Sequence, residues 1–589
     1  MPGKFKFINN YRQKYFWLDS SVLLIIAALT GVGTGFAAIG FKLLIQFYHS
    51  MFFSGGEQLL SASMGKYYII LIPALGGLLV GPIIYFFARE AKGHGVPEVM
   101  AAVAEKDGVM RPRLVLIKAM ASSISIGSGG SVGREGPIVQ IGSAIGSSIA
   151  QALRMPPNMM KTLVACGAAG GISATFNAPI GGVIFAQELI LGEFVTGNFI
   201  LIVITSVVSA IISRAFWGDF PAFMVQAYHL VNPAEMGFYL ILGLLAGLFS
   251  VLYIKVLYKT EDLFDSVTHI PEYFKPVLGG LMVGSIGLFF PQVFGVGYET
   301  VEMVLKNGLP WLLVFALLFA KLIATSITIG SGGSGGVFAP GLFMGSMLGG
   351  IFGILVHSAF PALTAPAGAY ALVGMGGVFA GMSQAPITGI IIIFEMTGDY
   401  KVILPLMVVC VISALVARGL YPESIYTEKL ARRGLNVRRK NNVGIMAEVP
   451  VSKVMTTRVQ TLEASIQLSA AKDIILESAY TGFPVLEGNR LVGITTYEDI
   501  LKEIKKGHAE LSVGEILCND LITVTPYDSI QKVMDKMAGG DIGRLPVVNA
   551  DKPEELLGII SRNDIINAYS LVANGDIQNS SKKDLELNL

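Results

Sequence analysis

Charge, cysteine and clustered acid are all scarce in this chain, and each scarcity removes a class of function. Only 14% of the 589 residues are charged, and a net charge of +1 leaves no basic footprint for a nucleic acid. The three cysteines, Cys166, Cys410 and Cys518, share no spacing pattern, and two of them sit in apolar runs. They read as reduced packing residues, with neither a disulfide frame nor a metal site expected. No Ser/His/Asp, HExxH or Walker-type constellation is present, so a membrane enzyme has no sequence support. A magnesium transporter, the competing cation reading, needs clustered carboxylates at membrane depth, and acids are sparse there. The first apolar run follows Lys4, Lys6, Arg12 and Lys14 and has no small-residue cleavage site, which argues against a removable signal peptide. By the positive-inside tendency the N-terminus is expected in the cytoplasm.

What the chain has in plenty is apolar residues and glycine: 53% of the sequence is hydrophobic, 69 residues are glycine, and mean hydropathy is +0.63. Such a composition predicts a polytopic helical membrane domain over roughly the first 420 residues. Val22–Phe47, Tyr68–Phe87, Ile200–Phe216, Tyr239–Leu257, Trp311–Ile329 and Val402–Ala417 approach the ~20 residues that span a bilayer. Phe176–Leu191 and Gln384–Met396 are shorter and flanked by Gly, Asn or Gln, so they read as partial or tilted helices buried among neighbours.

One phrase occurs twice within this background. Gly127-Ser-Gly-Gly-Ser-Val-Gly133 runs into Arg134-Glu135-Gly136-Pro137, and Gly330-Ser-Gly-Gly-Ser-Gly-Gly336 runs into Val337-Phe338-Ala339-Pro340. Each copy is preceded by a lone lysine in an apolar run, Lys118 or Lys321, and followed by Ala-Pro-Ile-x-Gly, at Ala178–Gly182 and Ala385–Gly389. The membrane unit is therefore internally duplicated. Paired glycine breaks at matching places in two halves point to an ion or substrate site near the midplane. A helix that starts inside the membrane presents unpaired N–H groups and a positive dipole end, and two that converge make an anion site.

After Arg418 the texture changes. Glu428–Asn442 carries Arg432, Arg433, Arg438, Arg439 and Lys440, a basic juxtamembrane linker that predicts a cytoplasmic C-terminal region. That region is duplicated too. Gly482-Phe-Pro-Val-Leu through Asp499 reappears as Arg544-Leu-Pro-Val-Val through Asp564, with strand-like runs alternating with helical patterns, as a βαβ-like unit used twice would show. The end of the chain, from Ala573, is polar and expected to fray.

Nearly the whole chain resembles the CLC family of chloride channels and chloride/proton antiporters, followed by a pair of CBS domains. The resemblance rests on Gly93-x-Gly-Val-Pro97, Gly133-Arg-Glu-Gly-Pro137, Gly336-Val-Phe-Ala-Pro340, Glu395-Met-Thr-Gly-Asp-Tyr400 and a late Tyr426, all in order. It implies a membrane domain over 20–427 behind a cytoplasmic segment 1–19, built of two inverted repeats at about 20–216 and 237–427. A linker 428–450, CBS domains at 451–509 and 510–573, and a polar tail 574–589 follow. It further implies a homodimer with one chloride pathway per subunit; the basic flanks predict that both termini are cytoplasmic, a short chain without long loops suits the plasma membrane, and no cofactor is expected to be required.

By the same resemblance, the amides of Val337 and Phe338 and the hydroxyl of Tyr426 face the central anion. Neutral donors suit that task, because they replace hydration and still release the ion. Glu135 is an ionisable residue at the start of a helix in a membrane span, where its carboxylate can take the seat of an anion; the resemblance makes it the gating glutamate. His94 stands where the family usually has serine, and exchanges a hydroxyl for an imidazole that titrates in the physiological range. Lys118 and Lys321 suit either of two roles, raising the potential of an anion pathway or snorkelling to an interface. Glu188 and Glu395 occupy equivalent positions and are expected to satisfy neighbouring backbone, while Arg134 has no evident role. In the tail, Thr496-x-x-Asp499 and Ser561-x-x-Asp564 match the adenine-nucleotide motif of CBS domains, the hydroxyl facing phosphate and the aspartate facing ribose, although many such pairs serve only as dimerisation scaffolds.

Proton-coupled members of the family commonly carry an inner glutamate next after the position of Glu188. Here that residue is Leu189, which holds no proton. The sequence therefore favours passive, gated chloride conduction over chloride/proton exchange.

Overall fold

The computed structural model describes residues 3–194, 199–223, 228, 230–435, 446, 449–478, 480, 482–517, 521–540 and 542–574. Cys518, the linker residues Arg438, Arg439 and Lys440, and the tail from 575 lie outside them. Two compact units divide the chain, Met1–Val437 and Arg438–Leu589.

Six helical segments of the first unit, among the described residues, are long and apolar enough to cross a membrane: Ser21–Phe87, Phe199–Trp217, Glu235–Ser266, Trp311–Gly330, Phe338–Ala359 and Tyr400–Leu420. The six apolar stretches read from the sequence fall within five of these. Two short helical pieces, Pro179–Leu191 and Pro386–Thr397, lie where partial helices were expected. Two further helices, Pro157–Phe176 and Ala367–Ser383, are rich in Gly and Ala; the second is apolar but only 17 residues long, and the first is diluted by Asn158, Lys161 and Thr162. They are central helices, the second buried along its whole length. Small residues let their backbones meet neighbours directly: a Cβ on Gly142 would overlap the Gly167 carbonyl, and one on Gly345 would overlap that of Gly374.

Those two crossings are equivalent, and the halves match in further detail. Pro179–Phe185 and Pro386–Thr397 are each entered through an alanine at φ −123°, ψ 77° (Ala178, Ala385), preceded by a left-handed Asn177 (φ 60°) or Gln384 (φ 57°). The two glycine breaks pair with one another: Gly133 N donates to Gly336 O at 2.7 Å and Gly336 N to Gly133 O at 2.6 Å. An antiparallel bridge between equivalent residues is what a local twofold axis between the halves produces.

Glu188 and Glu395 satisfy backbone, and they do so across that axis. Glu395 accepts from the amides of Ile180 (3.0 Å) and Gly181 (2.6 Å), at the start of the first half's short helix. Glu188 accepts from the amides of Ile387 (3.3 Å) and Thr388 (2.7 Å) and from the Thr388 hydroxyl (2.6 Å), at the start of the second half's. Each repeat supplies the carboxylate that quenches the orphan donors and favours the positive end of the other's helix.

The second unit holds two small sheets. Leu462–Glu463 pairs parallel with Gly482–Glu487, with helix Leu468–Leu476 between them, and Gly482–Glu487 pairs antiparallel with Arg490–Thr496. Arg544–Val548 and Leu556–Ser561 form the second antiparallel pair, joined by a parallel bridge from Val524 to Val547. The modules exchange their leading segments. Met446, Val449 and Val451 sit in the core of the second module, whereas Val513, Ile516 and Leu517 pack on that of the first.

Candidate functional site

Five of the residues singled out in the membrane unit come together. His94, Glu135, Val337, Phe338 and Tyr426 line one enclosed space, too tight for a water-sized sphere, and none is more than 2% exposed. Gly95, at φ 83°, turns the chain from His94 into the helix Val96–Glu105. Glu135 is the first residue of helix Glu135–Ala152 and Phe338 the first of Phe338–Ala359, so both breaks deliver helix N-termini to the same place. The first amides of a helix have no intrahelical acceptor, which makes Val337 and Phe338 available as neutral donors. The ring of Phe338 is fixed between Phe176 (centroids 5.0 Å apart) and Phe379 (4.4 Å).

Sequence reading did not find three tyrosines around this space. Tyr298 Oη donates to Glu135 Oε1 at 2.6 Å, and the carboxylate also faces the backbone amides of Glu135 and Ala339. Tyr258 Oη lies 3.3 Å from His94 Nε2, and Tyr253 Oη donates to the Val337 carbonyl at 3.4 Å. The signal for Tyr298 was in the duplication: Gly295-Val-Gly-Tyr298 is the second-half counterpart of Gly93-His-Gly-Val96, and Gly297 repeats the φ of 83° of Gly95.

Neither of the two lysines snorkels, for both are wholly buried. Lys118 Nζ donates to the carbonyls of Ala91 (2.9 Å) and Gly93 (2.8 Å), and Lys321 Nζ to those of Val293 (2.9 Å) and Gly295 (2.8 Å). They clasp equivalent loops, the one that carries His94 and the one that carries Tyr298. Arg134 faces a separate cavity of about 230 Å³, also lined by Lys42, Arg214 and Tyr298, and its guanidinium lies 5.7 Å from the Tyr298 ring centroid. Tyr298 thus stands between a cationic recess and the carboxylate of Glu135.

Leu189 lies outside the central space. It belongs to the apolar core, on the π-helical turn Ala186–Leu191. The CBS residues form two separate pairs of the same hydrogen-bonding pattern. Asp499 Oδ2 accepts from the Thr496 hydroxyl (2.6 Å) and amide (3.0 Å), and Asp564 Oδ2 from the Ser561 hydroxyl (2.7 Å) and amide (2.8 Å). Each pair caps the helix that follows it, so the motif read as nucleotide-binding also performs a local structural task.

Fold and central space together define a membrane protein of the anion-transport class. The chain belongs to the CLC family: the voltage-gated chloride channel family model matches residues 76–418, and CBS-domain models match 451–506 and 513–571. A ClcB-like protein of Ralstonia nicotianae is 35% identical over 417 residues, 70% of this chain and 97% of the relative. An H(+)/Cl(-) exchange transporter, ClcA, of Klebsiella pneumoniae is 33% identical over 425 residues, 70% of this chain and 88% of the relative. The solved structure of a slow cyanobacterial Cl-/H+ antiporter superposes with a TM-score of 0.66 at 27% identity, covering 71% of this chain and 99% of that one. Family membership displaces the magnesium-transporter reading.

Proposed function

We propose that this protein conducts chloride passively through a pathway in each subunit, gated by Glu135 and regulated by its CBS domains. The observation that carries the reading is the meeting of an acid with two helix N-termini: Glu135 lines the same tight, buried space as Val337, Phe338 and Tyr426, whose amides and hydroxyl are neutral donors. When an anion displaces the carboxylate, or a proton neutralises it, the seat opens. The electrostatics are of the kind that admits a monovalent anion and lets it go. The cationic recess by Arg134 would concentrate anions beside the gate.

Passive conduction is favoured over exchange by the region around Leu189. A leucine holds no proton, and the adjacent Glu188 is engaged by three donors at the start of the other half's helix, which removes it as a substitute relay. Chloride/proton exchange is the second reading, favoured by the likeness to the Klebsiella exchange transporter and the cyanobacterial antiporter. Proton movement in proteoliposomes under a chloride gradient decides between them. Uphill proton transport at a fixed ratio overturns the channel reading, and a reversal potential that follows chloride and ignores pH upholds it.

The proposal extends to a homodimer in the plasma membrane, with the N-terminus and the region after the basic linker in the cytoplasm. Adenine nucleotide is proposed to bind the CBS pair near Thr496, Asp499, Ser561 and Asp564. The Oδ1 atoms of the two aspartates, not engaged in the caps, are the acceptors that would meet ribose hydroxyls.

A further inference from the structure

The hydroxyl of Tyr258 fixes which nitrogen of His94 carries a proton. Tyr258 Oη lies 2.7 Å from the carbonyl oxygen of Ile425, which can only accept, so the single phenolic proton is committed there. Toward His94 Nε2, 3.3 Å away, the same oxygen can therefore only accept, and the hydrogen-bond network assigns the ring proton to Nε2. A neutral imidazole has one N–H. Nδ1 is then a bare lone pair, buried and without a partner, on a side chain that lines the same space as Glu135, Val337, Phe338 and Tyr426.

This arrangement reverses the expected sense of the serine-to-histidine exchange. A serine hydroxyl can turn a donor toward an anion at any pH, whereas neutral His94, held by Tyr258, offers a lone pair that repels it. A second proton, on Nδ1, converts the ring into a charge-assisted donor. Building on the proposed anion pathway, we infer that His94 takes part in anion binding only as imidazolium, so that chloride binding in the central space is coupled to protonation of the ring, with Tyr258 as the positioning residue.

The surrounding charges reinforce this coupling. Lys118 Nζ sits on the Gly93 carbonyl, and Lys429 Nζ stands where a Cβ on Gly93 would lie 2.8 Å away. Arg433 is paired with Glu98 at 2.7 Å, and Glu135 lines the same space as the ring. Tyr426 packs its ring 5.9 Å from that of His94 and is neutral. A proton arriving alone meets the amino groups of Lys118 and Lys429, which Glu98 and Glu261 offset only in part, and an anion arriving alone meets a lone pair. Each is accommodated better once the other is present, which is positive coupling between the two.

The test is chloride binding to the purified full chain by calorimetry, in two buffers of different ionisation enthalpy, so that proton uptake is read with the affinity. The measurement is made on Glu135→Gln, which removes the carboxyl as a competing proton acceptor. With His94 intact, chloride binding takes up about one proton, and apparent affinity falls about tenfold per pH unit on the alkaline side. Added His94→Asn abolishes the uptake and flattens the pH profile. Added Tyr258→Phe frees the neutral ring to carry its proton on Nδ1 and likewise flattens the profile, while binding at alkaline pH improves. Because the His94→Asn arm stands alone, a Tyr258→Phe protein that fails to fold leaves the question decidable. Chloride binding to Glu135→Gln without proton uptake overturns the inference and spares the anion pathway. Absence of both chloride binding and chloride flux in the unmodified protein overturns the pathway itself.

Discussion

Tyr298 Oη and Glu135 Oε1 are 2.6 Å apart, and this hydrogen bond ties an acid at the first half's glycine break to a loop of the second half. The loop is itself held by Lys321, whose ammonium group sits on the carbonyls of Val293 and Gly295. A hydrogen bond to a charged group contributes about 1.5–3 kcal/mol, enough to bias a gate by more than tenfold. Tyr298→Phe is expected to raise chloride efflux from liposomes by roughly that factor. Unchanged efflux would show that the tyrosine does not hold the closed position.

Removing the acid itself goes further. Glu135→Gln and Glu135→Ala are expected to leave anion flux intact or raised, to weaken its pH dependence and to abolish any proton transport. The check is the flux-against-pH curve of Glu135→Ala in a His94→Asn background, where the ring's own titration is absent, and a curve like that of His94→Asn alone sinks the gating role.

Selectivity is predicted to reside partly in His94. His94→Ser should change the ratio of chloride to nitrate or fluoride flux, because it replaces a held imidazole with a freely turning hydroxyl beside the central anion. Ratios that match the unmodified protein between about pH 5 and 8 would place His94 outside the pathway.

In the CBS domains, two effects of one substitution must be separated. Asp499→Ala or Asp564→Ala removes a helix cap at a cost of about 1 kcal/mol, in addition to any ribose acceptor. ATP, ADP or AMP is expected to raise the melting temperature of the full chain, and each alanine variant should lose that increment as well as starting lower. An unmodified protein whose melting temperature ignores all three nucleotides at millimolar concentration would leave the pair as a scaffold.

A stability prediction follows from the exchanged carboxylates. Glu395→Ala strands the amides of Ile180 and Gly181, and Glu188→Ala those of Ile387 and Thr388, at a cost of about 1–3 kcal/mol for each half-buried donor, Gly181 and Thr388, and less for the exposed ones. Thermal denaturation in detergent should show comparable losses for the two variants, and glutamine should recover part of each. A large loss for one and none for the other would contradict the equivalence of the halves.

Much of this was legible because duplication is written in residue types that have few other uses. The paired glycine breaks, Lys118 with Lys321, and Ala178 with Ala385 identified equivalent elements before any coordinates, and the same comparison extended to Gly295-x-Gly297 would have reached Tyr298. What stayed hidden has physical causes. Pro157–Phe176 and Ala367–Ser383 are rich in small residues and make no spanning-length apolar run, the first because polar residues interrupt its start and the second because it is short. Tyr258 lies far from His94 in sequence, and only the fold shows that Ile425 has claimed its proton. The snorkelling alternative for the lysines needed carbonyls in reach to be dismissed, and the exchanged leading segments of the CBS modules depend on packing rather than on any local pattern.

The cross-braced carboxylates also bear on how the chain is made. When the first half has been synthesised, the amides of Ile180 and Gly181 await Glu395, which lies more than 200 positions further along the chain. Until it arrives, the short helix of the first half ends in unquenched donors, a costly condition in hydrocarbon. The first half is therefore an unfinished object in the bilayer, and its completion is timed by the emergence of the second. Biosynthesis cannot deliver one working half at a time, and a chain cut between the halves is expected to mature only when both fragments are made together.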